Sequence, residues 1–154
     1  MKKDFTRDYT TEIFRAYAAA GTPSYESARA AIYEAELSKR GHIDPLTAVS
    51  QAEAAADKQT PYLLDIMAAD KTIDLLERGE KGHIVAALKA VYFVYPLQPL
   101  RQGDISGRVR RFALTYPAEE RTVYRWLKEA RLLCAAIRGL RITESDANKY
   151  HIAL

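Results

Sequence analysis

The stretch Val109–Lys128, VRRFALTYPAEERTVYRWLK, decides how the chain is read. Its apolar residues recur at helical spacing on both sides of a break at Tyr116-Pro117. A first helix is expected to end near Tyr116. Pro117 is suited to open a second, because a helix start leaves its first N–H groups free and proline's φ is preset for the helix. Glu119 and Glu120 fall in that second helix's first turn, where carboxylates favour the positive end of the dipole.

The packing pattern sharpens this into a helix-turn-helix. Two helices that meet steeply across a small surface need a small residue midway along the first and apolar residues facing it from the second. Ala113 supplies the small residue, with Phe112 beside it and Tyr116 near the turn. Val123, Trp126, Leu127 and Ala130 form the inward stripe of the second helix, continued by Cys134 and Ile137. Trp126 is expected as core filling between the two helices. Arg121, Thr122, Arg125, Lys128 and Glu129 remain on the outward side, near the end that enters the major groove in such motifs.

Upstream, the apolar run Ile84–Tyr95 is expected to form a central support helix. Pro96, Pro99 and Gly103 then mark a connection. Residues 1–95 are read as a helical region and 96–141 as the basic region, followed by a 142–154 tail. In the first part, Tyr9, Ile13, Phe14 and Tyr17 mark one helix, closed by Gly21. Thr22-Pro23 and Asp44-Pro45 each offer a cap followed by a helix-opening proline. A further helix is expected from about Tyr62 to Arg78. In the tail, Thr143 could cap a short helix over Ser145–Tyr150. The fold class expected is all-α, a helical N-terminal part packed on the C-terminal helix-turn-helix unit.

Composition agrees. The 154 residues are 48% apolar and 28% charged, with only 7 glycines, which suits a globular helical chain. One cysteine, Cys134, excludes an internal disulfide and favours a reducing, cytoplasmic setting. No secretory leader is expected after Met1-Lys2-Lys3-Asp4, and no apolar run approaches the ~20 residues that span a bilayer. The net charge of +3 is uneven: residues 101–141 carry 10 Lys and Arg against 4 Asp and Glu, whereas residues 1–100 carry 12 against 14. Such asymmetry points to a polyanionic or acidic partner, although Arg-rich helix faces can also be merely solvated.

Residues 80–140, through Phe112-Ala113, Tyr116 and Arg121-Thr122-Val123-Tyr124-Arg125-Trp126-Leu127, resemble the helix-turn-helix of bacterial sigma-factor C-terminal domains. They are also similar to phage late-gene regulators of the ArpU/RinA kind. Pro117 stands where such motifs carry glycine, and Glu119 where they carry a capping Ser or Thr. The resemblance implies a transcriptional regulator of phage or prophage origin.

Two functional expectations follow. In the first, the chain is a DNA-binding transcriptional regulator that inserts the helix from about residue 117 into the major groove. Arg121, Thr122, Arg125 and Lys128 would contact double-stranded DNA, and Arg108, Arg110, Arg111 and Arg131 would hold or steer phosphates. RNA polymerase and a second copy of the chain are further partners on this reading. In the second, the chain is an interaction or assembly protein whose basic C-terminal stripe binds an acidic partner. No enzyme is expected: His42, His83 and His151 lack metal-ligand spacing, no phosphate-binding glycine loop occurs, and no cofactor is implied. Asp65, Asp70, Asp74 and Glu77 are expected as exposed helix carboxylates with partners one turn away.

Overall fold

The computed structural model describes residues 3–152, and the last two residues of the 142–154 tail lie outside them. Eight helices make up the fold, with no strand among the described residues: α1 Phe5–Ala19, α2 Tyr25–Lys39, α3 Pro45–Lys58, α4 Thr60–Arg78, α5 Gly82–Val91, α6 Asp104–Thr115, α7 Glu120–Arg138 and α8 Glu144–Lys149. The all-α expectation therefore holds at that level.

Local signals explain most of the boundaries. Asp44 caps α3, its carboxylate accepting from the Thr47 N–H at 3.1 Å, and Pro45 opens the helix. Thr143 caps α8 in the same way, accepting from the Asp146 N–H at 3.1 Å. Gly139 ends α7 in the left-handed region at φ 86°, and the Leu140 N–H reaches back to the Ala135 carbonyl at 2.8 Å.

Three expected boundaries are corrected. Ser24, not Thr22-Pro23, caps α2, because Thr22 is itself in the left-handed region at φ 56°. The apolar run from Ile84 leaves the helix at Val91 instead of Tyr95. Tyr95 precedes Pro96, whose ring disfavours the right-handed helical conformation of the residue before it, and it sits at φ 47°. The second helix of the basic region starts at Glu120, with Glu119 as its N-cap, instead of at Pro117. The Tyr116-Pro117 pair again drives this, since Tyr116 is extended at ψ 116° and the turn occupies 116–119.

α7 lies at the centre. It packs on α1, α4, α5 and α6, while α2 and α3 pair with each other and reach the rest through α4. The inward stripe is as expected: Val123, Leu127, Ala130 and Cys134 are inaccessible. They join Phe14, Leu63, Ile66, Ile84, Leu88 and Val109 in a core that draws on both halves of the sequence. Trp126 departs from the reading as interior filling. It is half-buried and takes edge contacts from Tyr116 and His83, at centroid distances of 5.9 and 4.7 Å.

Two carboxylates expected to be solvated are instead partnered between helices. Asp65 of α4 accepts from Arg138 Nε of α7 at 2.7 Å and from the Tyr9 hydroxyl of α1 at 3.0 Å. Asp70 accepts from the Tyr17 hydroxyl at 2.8 Å. Asp74 does pair one turn away, with Arg78 at 3.1 Å. The first two contacts tie α1, α4 and α7 into fixed register, because a part-buried charge is stable only when satisfied.

Burial pushes the Cys134 thiol up to about 12. It also raises the Tyr17 and Tyr9 hydroxyls, each helped by its aspartate. A raised pKa in the folded state means that the unfolded chain loses the proton first. The associated stability is complete below the ordinary thiol value of 9.0 and is lost as pH climbs toward 12. Urea unfolding is expected to show stability falling above about pH 9, by up to about 1.4 kcal/mol per pH unit for the thiol. Cys134→Ala should flatten that slope, leaving only the tyrosine component. An unchanged slope would show that the thiol is not the titrating group.

Candidate functional site

The outward face of α7 forms one wall of a groove of about 680 Å³, and the facing wall is α1. Arg121, Tyr124, Arg125, Lys128 and Arg131 come from α7, spaced so that they share one face. α1 contributes Arg7, Asp8, Thr11 and Glu12. The half-buried Leu100 and Ile105 and the exposed Tyr124 ring supply the apolar surface between the walls, above the buried Tyr92 and Leu127. The α1 residues lie more than 100 positions from their α7 neighbours, so no local pattern could have shown them together. Helical spacing and the charge excess of residues 101–141 pointed to the α7 wall, but nothing in the sequence pointed to α1 as the facing one.

The cations are held differently. Arg131 Nη1 donates to the Tyr92 hydroxyl at 2.7 Å, which fixes both side chains. Lys128 Nζ is 3.5 Å from Asp146 of α8. Arg121 and Arg125 are exposed and make no ion pair among the described residues. Arg125 reaches only the Thr122 hydroxyl, at 3.4 Å. Arg121, in the first turn of α7, faces the positive end of the helix dipole, an arrangement that costs up to about 1 kcal/mol. Arg121 there and Arg125 one turn on, both without counter-ions among the described residues, leave charge available to a ligand.

The other four expected contact residues do not form one surface with these. Arg108 Nη1 donates to the Val91 carbonyl at 2.9 Å and so closes the end of α5. Arg110 is 3.5 Å from Glu120 across the turn, which gives that carboxylate a cationic partner. Arg111 shares a second cavity with Arg101 and Arg108, beside the 94–101 segment. Thr122 is half-buried under Arg125. Seven of the eight expected residues therefore divide among a groove, a turn and a second cavity, and Thr122 sits beside Arg125 outside all three.

Among the described residues no group of histidine, cysteine, aspartate and glutamate could hold a metal ion, and no helix is long and apolar enough to cross a membrane. No protein-family model matches the chain, and neither does any curated protein or solved structure. The kinship expected for residues 80–140 has no counterpart in these comparisons. The descriptors it carried (helix-turn-helix, DNA-binding, transcription regulation, sigma-factor-like, phage) are set aside with it. What stands is a pair of helices, α6 and α7, joined by a four-residue turn within an eight-helix fold.

Proposed function

We propose that the chain is a helical interaction module that binds an acidic polypeptide segment of a partner protein in the α1–α7 groove. The single observation that supports this most is the make-up of the groove. Its α7 wall is cationic, its α1 wall carries Asp8 and Glu12 beside Arg7, and the surface between them is apolar and aromatic. A uniform polyanion has little use for an apolar floor and is repelled by a wall bearing two carboxylates. An amphipathic peptide uses all three features: its apolar residues cover Leu100, Ile105 and Tyr124, while its carboxylates meet Arg121 and Arg125. The unpaired arginines at the groove's edge then set association rate and salt dependence.

The test uses a fluorescein-labelled amphipathic peptide with leucine and glutamate at helical spacing, followed by polarisation. Saturable binding is expected, weakened about tenfold or more by Arg121→Glu with Arg125→Glu, because two attractive charges become repulsive. Circular dichroism should show helicity intact, since both side chains are exposed. A short DNA duplex should not displace the peptide. Displacement by the duplex, or peptide binding indifferent to both substitutions, would overturn the reading.

A further inference from the structure

The connection between α5 and α6 is surrounded by guanidinium groups. Arg15 of α1 is 3% exposed. Its Nη2 donates to the carbonyls of Tyr95, at 3.3 Å, and Gln98, and lies 3.5 Å from that of Pro96. Its Nη1 is buried with no hydrogen-bond partner, and Arg15 makes no ion pair among the described residues. A buried charge without a counter-ion is costly. Tyr95 and Gln98, whose carbonyls engage Arg15, also line a cavity of about 460 Å³. Arg101, Arg108 and Arg111 line that cavity too, against a single carboxylate, Asp104. Asp104 is 4.0 Å from the largely exposed Arg101, and its other contact is the Arg101 backbone N–H at 2.8 Å. Arg111 makes no ion pair among the described residues. The local balance is therefore strongly positive, with one charge sealed beneath the connection.

We propose that this cavity is an anion site that takes a phosphomonoester or inorganic phosphate group. Arg111 and Arg101 grip the oxygens, and Arg15 adds attraction from below without touching the ligand. Planar guanidinium groups match the spacing of phosphate oxygens and bind them in pairs. Arg108, spent on the Val91 carbonyl, holds the end of α5 in place and contributes field more than contact. A bound dianion would supply the counter-charge that Arg15 lacks. The site does not depend on the groove reading.

The experiment titrates the full chain with sodium phosphate and, separately, with O-phosphoserine by calorimetry at fixed ionic strength. Saturable binding of at least one is expected. Arg101→Gln with Arg111→Gln should weaken it roughly tenfold or more, since charge-assisted hydrogen bonds are lost. Arg121→Gln with Arg125→Gln, in the groove, should leave it unchanged. Tighter binding of phosphoserine would identify a phosphoryl group on a larger molecule as the source, and tighter binding of phosphate a free anion. No saturable heat with either probe, or equal affinity in wild type and the Arg101/Arg111 variant, would overturn the proposal.

Discussion

Arg15→Ala is expected to lower unfolding stability by about 4 kcal/mol, because carbonyls of the 95–98 segment lose their donor together. Arg15 is almost fully buried and joins α1 to the α5–α6 connection through the Tyr95 and Gln98 carbonyls. Without it those oxygens must be left unpaired or the segment must open to water. Either route weakens the α1–connection contact, and the melting temperature should fall by roughly 10 °C. Removing an uncompensated charge offsets part of the loss, so Arg15→Met should cost less than Arg15→Ala, the methionine still filling the volume. Arg15→Lys keeps charge but offers a point donor instead of a fork, and should recover only part of the stability. Urea denaturation measures the energies, and hydrogen exchange across 94–101 reports whether the segment opens first. Wild-type stability in Arg15→Ala would show that the carbonyls need no guanidinium.

Phe14→Ala is expected to cost about 3–5 kcal/mol, the range for deleting a fully buried aromatic side chain. Phe14 is inaccessible and stacks on Tyr92 at a centroid distance of 6.1 Å with planes 11° apart. Tyr92 in turn accepts from Arg131 and supports the groove floor from beneath. The substitution should therefore also weaken peptide binding, whereas a core change of similar cost far from the groove should not. Leu63→Ala is the matched control, being equally buried on α4 and absent from the groove. Equal binding losses in the two variants would separate the floor from Phe14. Phe14 and Arg15 are adjacent and share the α5–α6 connection, so their combined effect should not be additive.

The legible and illegible parts of this chain divide by range. Helix identity follows from residues three and four apart, which is why Asp44-Pro45, Thr143 and the α7 stripe from Val123 to Cys134 could be read directly. Boundaries at prolines were less readable. Hydrophobicity carries Ile84–Tyr95 forward as one helix, but Pro96 acts on the backbone of Tyr95 and not on its polarity. Pro117 misled in the same manner, serving as a turn residue after an extended Tyr116 when its type suited the first helical position. The outward side of α7 could be inferred, but not what faces it.

By itself the amino-acid order dictated an all-helical chain, a break at Tyr116-Pro117, an inward stripe on the last long helix and a surplus of positive charge after residue 100. Those are matters of backbone sterics, helical periodicity and composition, all acting over a few residues. Tertiary packing decided that α1 lies against α7 to make a groove of mixed charge, that Asp65 answers Arg138, and that Arg15 is buried under the 95–98 segment. Such pairings span 73 to 124 positions of chain, from Asp65–Arg138 to Arg7–Arg131, and they arise from burying several helix faces at once, a collective outcome that no local stretch encodes.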